Sequence, residues 1–144
     1  MLYRHTQPGL SIVFLCLVAI ALDIGIIWQT GLWIPAAAAL VVLMAIAILF
    51  SSLTVEVSDD ELRWRFGPGF WTYRLPLGDI EKVAVVRNRW TNGFGIRMAP
   101  GFRLYNVSGL DAVELRLKSG DIKRIGTDDP QGLANALQSL PRRR

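Results

Sequence analysis

The sequence predicts a membrane protein of mixed class, with an apolar α-helical hairpin in its first third and a small, mostly β domain after it. Three observations carry this prediction. Between Leu10 and Phe50 the only ionisable side chains are Cys16 and Asp23, whereas nearly all the charge lies beyond Ser52. From Ser52 onward, short alternating runs are separated by turn residues at the spacing of a small antiparallel sandwich or barrel. After Thr127 the apolar period lengthens to that of an amphipathic helix. The chain thus divides into a two-helix transmembrane anchor, residues 1–51, and a folded domain, residues 52–144.

Leu10 to Trp28 and Leu32 to Phe50 each run for about 19 residues, which at ~1.5 Å per residue approaches the ~30 Å hydrocarbon core of a bilayer. Runs such as Ile12-Val13-Phe14-Leu15 and Leu40-Val41-Val42-Leu43 are apolar on every helical face, where a surface helix would show a polar stripe. A buried soluble hairpin would need a core larger than the remaining residues supply. Gln29-Thr30-Gly31 is the one break, and Gly31 suits the tight turn between antiparallel helices. Trp28 and Trp33 flank that turn, where indole rings favour a membrane interface. Pro35 falls in the first turn of the second helix, where its missing N–H does least harm.

Arg4, the terminal amine, Arg63 and Arg65 lie to one side of the two spans and the turn carries no base, so the positive-inside rule places both termini and the domain in the cytoplasm. Ala19-Ile20-Ala21 has the small-x-small form of a signal cleavage site, yet the apolar run continues through Trp28, which favours an uncleaved anchor. Asp23 is the one carboxylate within a span. Such residues are functional suspects, although here a shallow position near the interface would also account for it. The small residues Ala36 to Ala39 permit close helix approach, within the hairpin or between subunits.

In the domain, strands are expected at Leu53–Val57, Leu62–Phe66, Trp71–Leu75, Ile80–Arg87, a less regular Gly95–Val107, Ala112–Leu117 and Ile122–Gly126. Ser58-Asp59-Asp60, Gly67-Pro68-Gly69 and Lys118-Ser119-Gly120-Asp121 supply the turns. Leu62, Trp64 and Phe66 alternate with Arg63 and Arg65, and Val113, Leu115 and Leu117 alternate with Glu114, Arg116 and Lys118. These apolar sets should form the core. Asp129 is a suitable N-cap, Pro130 a suitable first helical residue, and Leu133, Leu137 and Leu140 form a helical stripe before Pro141.

Gly93-Phe94-Gly95-Ile96-Arg97, Tyr105-Asn106-Val107-Ser108-Gly109, Ala112-Val113-Glu114-Leu115 and Arg124-Ile125-Gly126-Thr127-Asp128-Asp129-Pro130 follow one another behind the hairpin. In that order the chain resembles the bacterial PH-domain (pleckstrin-homology-like) membrane protein family over roughly residues 53–140. The resemblance implies a seven-stranded antiparallel barrel capped by a C-terminal helix, acting as a binding module with some tendency to self-associate.

The chemistry the residues allow is narrow. One His near the start and one Cys inside an apolar helix cannot assemble a Cys/His or Ser/His/Asp centre, and a single Cys forms neither an intramolecular disulfide nor a CxxC site. Gly93-Phe94-Gly95 lacks the third glycine of a dinucleotide loop, and Asp128-Asp129 reads as helix capping. No enzyme activity, metal or cofactor is expected. The net charge of +4 is mixed in sign, which does not argue for nucleic acid. The loop Ser58-Asp59-Asp60-Glu61 is acidic where phosphoinositide-binding PH domains are basic, so no specific phosphoinositide is expected. Arg87, Arg89, Trp90 and Phe94 form a basic and aromatic stretch suited to a partner or to lipid, unless its aromatics simply complete the β core. Arg142, Arg143 and Arg144 make a basic tail. The expectation is a non-enzymatic, membrane-anchored PH-like scaffold that binds protein partners or itself. The alternatives are a transport or sensing subunit working through Asp23, and anionic-lipid sensing by the Arg87 to Phe94 loop.

Overall fold

A computed structural model describes residues 2–140; the basic tail Arg142 to Arg144, and Pro141 before it, lie outside them. Strand β1 (Tyr3–Pro8) leads into helices α1 (Leu10–Thr30) and α2 (Trp33–Leu49). Strands β2 (Ser52–Val57), β3 (Glu61–Phe66), β4 (Trp71–Pro76), β5 (Ile80–Arg87), β6 (Gly95–Ala99), β7 (Phe102–Asn106), β8 (Asp111–Leu117) and β9 (Ile122–Gly126) follow, and helix α3 (Pro130–Gln138) ends the fold.

The strands form two open sheets. One is antiparallel with order β1-β2-β3-β4, and the other is mixed with order β5-β8-β9-β7-β6. This corrects the expected closed antiparallel barrel of seven strands. Two local features account for the difference. Pro76 ends β4, and the single 3-10 turn Leu77–Asp79 carries the chain out of the first sheet instead of across a shared edge. The β6–β7 hairpin then pairs with β9 in parallel, Arg103 opposite Lys123 and Tyr105 opposite Ile125, so its hydrogen bonds are spent inside the second sheet.

The membrane hairpin is also corrected. Among the described residues α1 alone is long and apolar enough to cross a bilayer. Its 21 residues span ~32 Å, whereas the 17 residues of α2 reach only ~26 Å. The expected second span ran to Phe50, but that ring leaves the helix and packs into the domain, with centroids 5.2 Å from Phe66 and 5.4 Å from Trp71. Two transmembrane helices, the multi-pass topology and the cytoplasmic placement deduced from them therefore do not stand.

The alternation anticipated in β3 and β8 is observed. Leu62, Trp64, Phe66, Val113, Leu115 and Leu117 are buried while the charged residues between them are partly or fully exposed; Ala112 is buried as well. Helix α3 is capped as its sequence implies, the Asp129 carboxylate accepting from the Gly132 amide at 3.0 Å, and it buries Leu133, Ala134 and Leu137 against β5 and β8. Strand β1 was not anticipated. Its sequence is polar, yet it pairs with β2 along its whole length, from Tyr3 opposite Val57 to Pro8 opposite Ser52. Both ends of the helical hairpin are thereby clamped to neighbouring strands.

Candidate functional site at the base of the hairpin

Because β1 ends where α1 begins and β2 begins where α2 ends, one end of the domain surrounds the hairpin base. The Gly9 amide donates to Ser51 O at 2.7 Å, closing the gap between the two helix ends. Gly67, with φ 44°, approaches so closely that a Cβ there would lie 2.6 Å from Leu49 O and 2.7 Å from Ile48 O. The turn between β3 and β4 therefore abuts the last turn of α2.

Helix α1 has no capping side chain of its own, because its N-cap is Gly9. The missing acceptor comes from the loop between β7 and β8: Ser108 Oγ accepts from the Ser11 amide at 3.3 Å and lies 2.9 Å from the Ser11 hydroxyl. Gln7 Nε2 donates to Ser108 O at 2.9 Å, and Asn106 shapes the loop by accepting from the Ser108 amide and donating to Gly109 O. The 88–94 loop joins this end too, since the Asn88 amide donates to Leu110 O at 2.7 Å. Phe94 and Gly95 line a shallow cleft of about 450 Å³ with Ile12, Cys16 and Phe50.

The sequence-predicted residues fall into three places. Arg87, Arg89, Trp90 and Phe94 lie in or beside the loop at the hairpin base, but not as one patch. Arg87 pairs with Asp111 at 3.5 Å, Trp90 is 80% exposed, and Phe94 is partly buried against the core, its carbonyl accepting from Arg97 Nε at 2.9 Å. Trp28 and Trp33 flank the turn at the far tip of the hairpin, 90% and 68% exposed. Asp23 shares the α1 face of Ile12, Cys16 and Ile27, and its Oδ2 is buried without a hydrogen-bond partner. Phe70 and Trp71, also exposed, extend the aromatic rim beside the β3–β4 turn. In the sequence Gly67-Pro68-Gly69 marks only a turn, which gives Phe70 and Trp71 beside it no signal of their own. Ser108 was quoted within a motif but given no role, since a cap supplied from across the fold leaves no local signal.

Charges of both signs occur at each end of the domain. Arg87 and Arg89 lie at the end nearest the hairpin, with Asp111 beside Arg87, whereas the loops at the opposite end carry Asp59, Asp60, Asp79, Lys118 and Asp121, with Arg103 and Lys123 in the strands next to them. Elsewhere, β1 is tied to α3 by the Tyr3 hydroxyl, which donates to Asp129 Oδ2 at 3.0 Å, and by the contact of His5 Nε2 with Asp128 Oδ1. Burial, and then the bond to Asp129, hold the Tyr3 phenol well above its ordinary pKa. Burial likewise raises that of Tyr73. Among the described residues no group of three or more His, Cys, Asp or Glu side chains is placed to hold a metal.

No family model matches the chain, and no curated protein does. With two open sheets in place of a barrel, this overturns the resemblance to the bacterial PH-domain family. The PH-like scaffold is withdrawn with it. So are its alternatives, the Asp23 transport subunit, which relied on a pair of spans, and the PH-like lipid sensor.

Proposed function

We propose that the chain is a membrane-associated protein in which the apolar helix α1 enters lipid and holds the two-sheet domain beside the bilayer. The observation that carries this reading is the exposure of α1. Only 11% of its most apolar stretch is buried within the protein, whereas the core helix of a soluble fold is mostly covered. Phe14, Leu17 and Leu22 face outward with no protein surface over them. The aromatic rim at the hairpin base supports the same orientation. Trp90, Phe70 and Trp71, exposed at this end of the domain, suit the interfacial zone. The acidic loops would then face water, away from the bilayer.

The direct test is to express the full chain, wash its membranes at alkaline pH and float them on a density gradient. The expected result is recovery in the floating, wash-resistant fraction. Recovery of a dispersed monomer in detergent-free buffer would overturn the proposal.

A further inference from the structure

At the end of the second sheet remote from the hairpin a mouth opens, lined by the β6–β7 turn with Arg103 and by the β8–β9 turn with Lys123. Side chains alternate along a strand, so Arg103 projects on the same face of β7 as Tyr105, and Lys123 on the same face of β9 as Ile125. Tyr105 and Ile125 are fully buried, and that face is turned toward the first sheet, because Tyr105 meets Trp64 edge-on at 5.1 Å and Tyr73 at 4.9 Å. Two cations therefore stand on the inward phase at the outer ends of their strands, Arg103 exposed and Lys123 half-buried.

They are also direct neighbours in register, and like charges placed opposite one another destabilise a sheet. Among the described residues neither has a carboxylate within ion-pairing distance, the ion pairs of the fold being made by other side chains. Asp121 lines the same cleft, of about 420 Å³, but its Oδ2 accepts from the Ser119 hydroxyl. Lys123 Nζ lies 5.7 Å above the Trp64 ring. The aromatic groups beneath add polar atoms that want partners. Tyr105 Oη and Trp64 Nε1 are both fully buried and, among the described residues, neither makes a hydrogen bond of good geometry, although the Arg103 guanidinium lies beside the Tyr105 hydroxyl. The Arg103 guanidinium is held more basic first by the hydrogen-bonding Tyr105 hydroxyl and then by the charges of Tyr105, Tyr73 and Asp121 around it, which ties it to the mouth.

We propose that this mouth is a binding site for a small oxyanion, a phosphate or carboxylate group, held between the Arg103 guanidinium and the Lys123 ammonium with the Tyr105 hydroxyl as a further donor. Such a ligand would offset the repulsion between the cations and satisfy a buried hydroxyl at once. Arg103 presents the planar donor fork that suits an oxyanion, and Lys123 the point charge. The site lies at the water-facing end of the domain, so the ligand is a solute, or a group carried on one, and not a lipid of the membrane that holds the hairpin. That exclusion of lipid rests on the membrane reading proposed above, whereas the oxyanion site itself does not.

The test is isothermal titration of the purified full chain in detergent with inorganic phosphate and, separately, with acetate, at constant ionic strength set by chloride. Saturable binding of one of them is expected. It should weaken about tenfold in Tyr105→Phe, which keeps the ring and removes one charge-assisted hydrogen bond, and at least as much in Arg103→Gln and Lys123→Gln. Arg116→Gln, on the opposite phase of β8, should bind as the parent does. Near-ultraviolet circular dichroism confirms that each variant keeps its aromatic packing. Heats no larger than those of chloride, or equal binding by Tyr105→Phe and both cation variants, would overturn the proposal.

Discussion

Replacing Leu22 by Arg tests the environment of α1, because the sign of the effect depends on what surrounds it. Leu22 sits near the middle of α1 and is 65% exposed, so no protein contact resists a longer side chain there. In water, an exposed substitution of this kind changes stability by about 0.5 kcal/mol or less, and an added charge improves solubility. In lipid, Leu at a helix centre contributes roughly −0.5 kcal/mol to insertion and Arg opposes it by about 2.5 to 3.5 kcal/mol. The difference of about 3 kcal/mol corresponds to a partition ratio lowered by about 100-fold. The assay is insertion of the full chain, made by cell-free translation, into liposomes, with floated and unfloated fractions quantified for parent, Leu22→Arg and the domain control Glu81→Arg. Loss of flotation by Leu22→Arg alone is expected. An unchanged floated fraction, or a parent that does not float while Leu22→Arg is merely more soluble, would refute the reasoning.

Other consequences are as definite. Ser108→Ala removes the acceptor that caps α1 from across the fold and should lower stability by about 1 to 2 kcal/mol in a denaturant titration, with the secondary structure of the domain retained. Gly67→Val forces a side chain onto the Leu49 and Ile48 carbonyls at a positive φ; a lowered midpoint of thermal unfolding and faster proteolysis at the 67–71 turn should follow. Leu133→Ala should cost about 2 to 5 kcal/mol, since that side chain is wholly enclosed between α3 and the sheets. The alkaline limit of stability should carry the signature of Tyr3. Its folded-state pKa lies above the unfolded value of ~10, so its contribution is intact below that pH and is lost as pH rises through the folded pKa. Above pH ~10 the parent should therefore lose stability more steeply than Tyr3→Phe, as read by urea midpoints at successive pH values.

What the sequence disclosed follows from which interactions are local. Alternation in Leu62-Arg63-Trp64-Arg65-Phe66 marks a half-buried strand whatever its partner, and Asp129-Pro130 marks a helix start within four residues, so both were legible. Pairing partners are not written locally. Nothing in Phe102–Asn106 announces that β9 will lie beside it in parallel, and a run of short strands looks alike whether the sheet closes or stays open. Strand β1 escaped because Tyr3–Pro8 is held through backbone bonds to β2 and shows no apolar rhythm of its own. The second helix was read too long because Phe50 is apolar in either setting, and only the folded domain reveals that Phe66 and Trp71 claim it. Arg103 and Lys123 do leave a signal, standing in phase with Tyr105 and Ile125, but Gly95–Val107 has no regular alternation that would make the phase of Arg103 stand out.

The pairing of Pro8 with Ser52 makes the outer part of the apolar segment an exchangeable module. These two residues end an ordinary antiparallel ladder, so the 43 residues from 9 to 51 are, for the sheet, one very long hairpin loop. Evolution or an engineer could thus exchange or lengthen the outer part of that loop, provided that the Ile12, Cys16 and Phe50 contacts at its base are kept for the nine-stranded fold.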